Sequence, residues 1–306
     1  MIHSARISLV IVLMAGLVAA CASPALIATP TLVPTATTAP TATPAPTLQP
    51  SDSERKVMVN EVERSYLLHI PPGLDSLHPV PVVVAFHSSS ATPEDMILAT
   101  GFNDIADHSG FLVVYPNGMG AWNAGGGCCG NAFTENIDEA AFVREILLDL
   151  KSTVSIDAKR IYATGGGHNA GALVYRLACE MSDTFAAIAP VAGTQLYNPC
   201  QLQQPVSLIH VHGLVDTTVP FVGGGEFNGP PIEQVVSTWA KLNRCDTSPQ
   251  VERQNNIVTH TVYSSCNAGT SVELYTIETG GHIWPSKYVW PATERIWEFF
   301  AAHPKP

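Results

Sequence analysis

The run Arg160-Ile161-Tyr162-Ala163-Thr164, followed by Gly165-Gly166-Gly167-His168-Asn169-Ala170-Gly171 and then by a stretch from Ala172 to Met181, decides the fold of this chain. The first piece reads as a strand and the last as a helix. Between them, Gly167-His168-Asn169-Ala170-Gly171 reproduces the glycines of G-x-S-x-G, a sharp strand-to-helix elbow that lifts a serine hydroxyl above a sheet. Asparagine stands where that serine belongs. The elbow therefore predicts both an architecture and a chemistry, and it lacks the atom the chemistry needs.

Working outward, strand, helix and turn signals alternate, which predicts an α/β fold with a mainly parallel sheet covered by helices on both faces. Val80 to Phe86 is apolar and β-branched, as a strand buried on both faces requires. Phe111 to Tyr115, Ala186 to Ala192 and Val206 to Val211 have the same character, and Val272 to Glu278 reads as a further strand. Val57 to Ile70 reads as an N-terminal antiparallel pair at the sheet edge. Phe142, Ile146, Leu147 and Leu150 are spaced as on one face of a helix over 137–154, with Asp138 as N-cap. Pro231 to Leu242 and Pro291 to Ala302 read as helices opened by proline.

The termini of these pieces set the domain organisation. Arg6, the apolar stretch Ile7 to Val18 and the small residues before Cys21 have the layout of an export signal over 1–20. Val18-Ala19-Ala20-Cys21 resembles a bacterial lipobox, which implies cleavage before Cys21 and lipidation of its thiol. Residues 21–53 are rich in Pro, Thr and Ala with almost no charge, too little apolar surface to fold, and read as a disordered linker. Residues 54–306 have the size of one α/β domain, long enough to bury roughly 70–75% of the surface exposed by the unfolded chain. The expected location is the outer face of a bacterial membrane, held by the lipid alone, or the secreted state. A formal net charge of −11 argues against a nucleic-acid partner, which needs Lys/Arg patches.

Six cysteines follow Cys21, an even number in a chain with an export signal, so disulfides are the first reading. The expected pairs are Cys179 with Cys200 and Cys245 with Cys266, each worth roughly 3 kcal/mol in the chain-entropy model. Cys128 and Cys129 remain for a vicinal bridge. No C-x-x-C or His/Cys spacing supports a structural zinc site.

Loops after the carboxyl ends of parallel strands are where open α/β sheets place their sites. Three groups fall there in order: the elbow, then Asp216 after His210-Val211-His212-Gly213, then His282 in Gly280-Gly281-His282-Ile283-Trp284-Pro285. Nucleophile, acid, histidine is the chain order of α/β hydrolases. His282 is the expected general base and acid, and Asp216 the carboxylate that holds its tautomer. His87, His210 and His212 read as hydrogen-bonded scaffold. A metal set of His168, His282 and Asp216 is disfavoured, because a relay of side chains does not converge on one point, and no cofactor is expected.

Motifs spread along 64–304 carry a resemblance. They include Arg64-Ser65-Tyr66-Leu67-Leu68-His69-Ile70-Pro71, Tyr115-Pro116-Asn117-Gly118, Trp122-Asn123 with Gly127-Cys128-Cys129-Gly130, Tyr175-Arg176-Leu177-Ala178-Cys179-Glu180, His212-Gly213-Leu214-Val215-Asp216 and Gly281-His282-Ile283-Trp284-Pro285. The domain resembles the secreted polyhydroxybutyrate depolymerase and feruloyl esterase group of α/β hydrolases. That resemblance implies cleavage of carboxylic esters through an acyl-serine, on polyhydroxyalkanoate, feruloyl or acetyl esters. It also implies an oxyanion hole after a strand ending in His-Gly, where this chain has His87-Ser88-Ser89-Ser90; Ser88 and Ser89 become candidates to contact substrate there. Trp122 and Trp284 are candidates to line the cleft, with packing in the core or a loop as the alternative.

Two registers compete for the missing serine. Counting back from Tyr175-Arg176-Leu177 selects His168, and an inserted residue in the helix would rotate its buried face by about 100°. The glycine pattern selects Asn169, a residue type that tolerates unusual backbone angles. Neither offers a hydroxyl. The sequence thus leaves an ester hydrolase with reduced or lost activity beside a non-catalytic ligand-binding relative of the same fold.

Overall fold

The computed structural model describes residues 51–74 and 78–306; the export signal, Cys21 and the linker up to residue 50 lie outside the described residues. In chain order the strands are β1 (Ser51–Val59), β2 (Val62–Ile70), β3 (Val80–Phe86), β4 (Leu112–Pro116), β5 (Ile156–Gly166), β6 (Ala187–Val191), β7 (Ser207–Gly213), β8 (Gln250–Arg253), β9 (Val258–Tyr263) and β10 (Val272–Ile277). The helices are α1 (Pro93–Thr100), α2 (Phe102–Ser109), α3 (Gly130–Thr134), α4 (Glu139–Thr153), α5 (Gly167–Glu180), α6 (Ile232–Leu242) and α7 (Ala292–Ala302).

These strands form one sheet in the order β1-β2-β4-β3-β5-β6-β7-β10-β9-β8. Strands β4, β3, β5, β6, β7 and β10 run parallel; β1-β2 and β9-β8 flank them as antiparallel pairs. The β3 run shows why the centre is apolar without alternation. Val82, Val84 and Phe86 enter one core with Phe142 and Ile146 of α4, Leu173 and Leu177 of α5, and Trp239 of α6. Val83 and Ala85, pointing the other way, enter a second core with Phe102 of α2 and Ile296 and Phe300 of α7. Helices thus cover both faces, as expected.

Local signals explain the element ends. Asp138 caps α4 by accepting from the Ala141 N–H, and Thr92 and Asp95 form a reciprocal capping box on α1. Pro231 and Pro291 stand at the N-cap, one residue outside the helices they precede. One boundary differs from expectation: β1 begins at Ser51, inside the stretch 21–53 assigned to the linker. Ser51, Asp52 and Ser53 are poor in apolar surface, but their backbone pairs with Ile70, His69 and Leu68 in turn, and Asp52 Oδ1 meets His69 Nδ1 at 2.7 Å. Ladder pairing holds them, which composition does not reveal.

A buried ion pair ties the N-terminal hairpin to the elbow side of the sheet. Arg64 reaches Glu139 Oε2 at 3.3 Å, lies over the Phe142 ring, and both charged groups are buried. Burial lowers the Arg64 pKa and raises that of Glu139, with the mutual attraction opposing both. Glu139 Oε1 also accepts from the Asn123 N–H, fixing the loop that carries Trp122.

Candidate active site

The carboxyl ends of β3, β5, β7 and β10 deliver Ser88, the elbow, Asp216 and His282 to one edge of the sheet. Asp216 follows β7, and its carboxylate is fully engaged. Oδ1 accepts from the N–H groups of Thr218 and Val219, each at 2.9 Å, and Oδ2 accepts from His282 Nδ1 at 2.8 Å. A carboxylate can only accept, so Nδ1 carries the proton and Nε2 is left with its lone pair. That Nε2 accepts from the His168 N–H at 3.2 Å. The imidazole, half-buried, faces the elbow in the tautomer a general base requires.

At the elbow the structure corrects both sequence registers. β5 extends through Gly165 to Gly166, and α5 starts at once with Gly167, whose φ of +81° lies in the left-handed region. This is the residue that turns above the sheet. A Cβ built on Gly167 stands 3.5 Å from His282 Nε2 and 3.2 Å from Ser88 Cβ. The side chain presented to the base would therefore belong to position 167, and glycine occupies it.

His168 and Asn169 point elsewhere. The His168 ring packs on Phe227, with centroids 4.6 Å apart, and burial followed by the nearby His282 lowers its pKa below the ordinary 6.5. The buried Asn169 amide brackets the Trp122 backbone, accepting from its N–H at 2.7 Å and donating to its carbonyl at 2.8 Å. It is a pin holding the neighbouring loop to α5. Gly171, further along α5, packs against Gly193: a Cβ on Gly171 would approach the Gly193 Cα to 2.8 Å. This close contact seats the elbow on the sheet.

Trp122 is also corrected. Its side chain is fully buried, edge-on to Phe86, and its indole donates to the His87 carbonyl at 2.7 Å. It supports the β3 loop from behind and does not line the cleft. His87 continues that support: its Nε2 accepts from the Gly118 N–H at 2.9 Å, so Nδ1 donates to the Ser88 carbonyl at 2.8 Å. Burial keeps this imidazole below its ordinary pKa.

A cleft of about 640 Å³ opens in front of these groups, within the size range of small-molecule sites. Ser88, Ser89, Met96, Ala99, Ile283 and Trp284 are among the residues around the Gly167–His282 centre. Trp284 is anchored by its indole to Thr293 Oγ1 at 3.1 Å.

Behind Asp216 lies a buried ladder that the sequence reading recognised only as scaffold. Tyr175 OH donates to His210 Nδ1 at 2.7 Å, His210 Nε2 to His212 Nδ1 at 3.0 Å, and His212 Nε2 to the Val219 carbonyl at 2.8 Å. The terminal carbonyl can only accept, which fixes every proton along the ladder. Burial depresses both histidines, that of His210 strongly. The i, i+2 spacing of His210 and His212 on a strand was the available signal, since it places both on one face.

Disulfides join Cys179 to Cys200, Cys245 to Cys266, and Cys128 to Cys129. Cys128, Cys129 and His168 present donor atoms close together, but the two sulfurs are bonded to each other and offer no thiolate.

Comparison with known proteins finds similarity to esterases. Residues 64–200 match the Esterase PHB depolymerase family model. The chain is 28% identical over 236 residues to Feruloyl esterase B of Piromyces equi, covering 72% of this chain and 42% of the relative. It is 29% identical over 244 residues to Poly(3-hydroxyalkanoate) depolymerase C of Paucimonas lemoignei, covering 70% and 57%. The chain thus spans about two fifths to just over half of these relatives' lengths. Among solved structures, the acetyl xylan esterase from Aspergillus awamori superposes with a TM-score of 0.62 at 16% identity, over 82% of this chain and 99% of that one.

Proposed function

We propose, from the match of residues 64–200 to the Esterase PHB depolymerase family model and the α/β-hydrolase fold, that the cleft beside Gly167 binds carboxylic esters and presents their carbonyl to His282 and Asp216. The observation that carries this reading is the 2.8 Å bond from His282 Nδ1 to Asp216, which leaves Nε2 as a base aimed at the elbow. In this role His282 takes a proton from the attacking group and returns it to the departing alcohol. Asp216 holds the tautomer and stabilises the imidazolium. The His168 N–H, in the first turn of α5, and the Ser89 N–H, which has no hydrogen bond among the described residues, are the donors for a developing oxyanion.

Met96, Ala99, Ile283 and Trp284 suit an apolar or aromatic acyl group, in line with feruloyl, acetyl or hydroxyalkanoate esters. The absence of a side chain at Gly167 favours a second reading, a ligand-binding relative without turnover. The domain is further proposed to act outside the cell, tethered through a lipid on Cys21 by the linker.

The test puts a hydroxyl at the elbow and clears the space it needs. Gly167→Ser combined with Ser88→Gly, compared with Ser88→Gly alone, is expected to raise hydrolysis of p-nitrophenyl butyrate by about 10³-fold. A double variant with the wild-type melting curve and no gain would end the acyl-transfer reading.

A further inference from the structure

Ser88 is held where a nucleophile is missing. Its Cβ lies 3.2 Å from the point a Gly167 Cβ would occupy, and the same point lies 3.5 Å from His282 Nε2. The Ser88 side chain and the lone pair of the base therefore border one small space, emptied by the glycine. The Ser88 backbone is pinned, its carbonyl accepting from His87 Nδ1 at 2.8 Å and from the Ala91 N–H at 3.2 Å. Its hydroxyl makes no hydrogen bond among the described residues, and it is partly exposed to the cleft. Rotation about one bond moves that oxygen without disturbing the loop.

We infer that Ser88, on the loop after β3, is the catalytic nucleophile of this chain, displaced from the elbow to the facing wall of the cleft. The inference rests on the ester-cleft reading above. Its physical basis is that a general base serves whichever hydroxyl reaches it; the strand that supplies the hydroxyl is immaterial.

The steps balance without any cofactor. Ser88 Oγ bonds to the ester carbonyl carbon as its proton passes to His282 Nε2, and the carbonyl electrons move to oxygen. Collapse breaks the bond to the alcohol oxygen, which leaves with the proton from Nε2. Water then attacks the acyl-serine, gives a proton to His282, and releases the acid while Ser88 Oγ recovers its hydrogen. Ester and water become acid and alcohol. The His168 N–H, now directed at Nε2, points into the space where the oxyanion forms.

The experiment uses the purified protein, a biotinylated alkyl fluorophosphonate and p-nitrophenyl acetate. The expected adduct lies on the peptide containing Ser88, and Ser88→Ala removes it while lowering turnover by about 100-fold or more. Ser88→Cys is expected to recover an acyl-enzyme, seen as a thioester by mass, which a merely structural serine would not produce. An adduct on another residue, or turnover in Ser88→Ala equal to wild type, overturns the inference. Wild type that neither labels nor turns over, beside an active Gly167→Ser/Ser88→Gly variant, also overturns it and leaves the ester-cleft reading standing. Inertness of both proteins with unchanged melting curves removes that reading as well.

Discussion

His282 and the His210–His212 pair sit on or after neighbouring strands of the same sheet, and His212 comes near the carboxylate that holds His282, yet they are equipped for opposite tasks. Asp216 Oδ2 lies 2.8 Å from His282 Nδ1 and 3.6 Å from His212 Nε2. In the ladder every imidazole nitrogen has a buried partner, from the Tyr175 hydroxyl to the Val219 carbonyl. His282 has one nitrogen fixed and the other turned to a solvent-accessible cleft where, among the described residues, it takes a hydrogen bond from the His168 N–H alone. Proximity to a carboxylate therefore does not make a histidine a base. What matters is whether its second nitrogen is already committed.

The sharpest way to break this contrast is to delete each side in turn. His282→Ala is expected to lower ester turnover in the Gly167→Ser/Ser88→Gly protein by about 10³-fold, within the range for a positioned acid–base group, while its thermal melt stays close to the parent's. His210→Ala should do the reverse. It strands the Tyr175 hydroxyl and the His212 Nδ1 in the core, and urea unfolding should report a loss of about 3 kcal/mol, with a smaller effect on turnover through the Asp216 loop. If the first variant lost the stability and the second the chemistry, the two regions would have been assigned the wrong way round.

A smaller effect separates the regions by pH. Burial holds His210 and His212 below the ordinary 6.5 in the folded state, so below pH 6.5 the unfolded chain takes up protons that the folded chain refuses. Stability then rises with pH across that window and falls as pH drops through it, by about 1.4 kcal/mol per pH unit for each such group. Buried His87 adds in the same direction. Melting temperatures between pH 7.5 and 5 should follow this slope, and His210→Ala should flatten it.

The parallel centre of the sheet was legible because Val80 to Phe86 and its neighbours are apolar on both faces, and the Asp216–His282 pairing because each follows a strand in a glycine-rich loop. The elbow register was not. Gly165 and Gly166 carry no strand signal, since β propensity reflects side-chain packing they cannot supply, so the end of β5 was invisible and counting began from the wrong landmark. The helix register and the glycine spacing then each missed Gly167. Trp122 was ambiguous for a related reason: its burial comes from the distant Phe86 and His87, which no local pattern encodes. The α1 capping box at Thr92-Pro93-Glu94-Asp95 is written locally, as a threonine with a carboxylate three residues on.

Glycine at position 167 also bears on how this cleft can change over generations. A β-carbon at φ +81° carries a steric cost of roughly 1–2 kcal/mol, which serine at such an elbow must meet and glycine escapes. The backbone already holds the turn, so what separates the two forms of this pocket is one β-carbon at position 167 together with the space that Ser88 fills 3.2 Å away, and relief of torsional strain favours the form seen here.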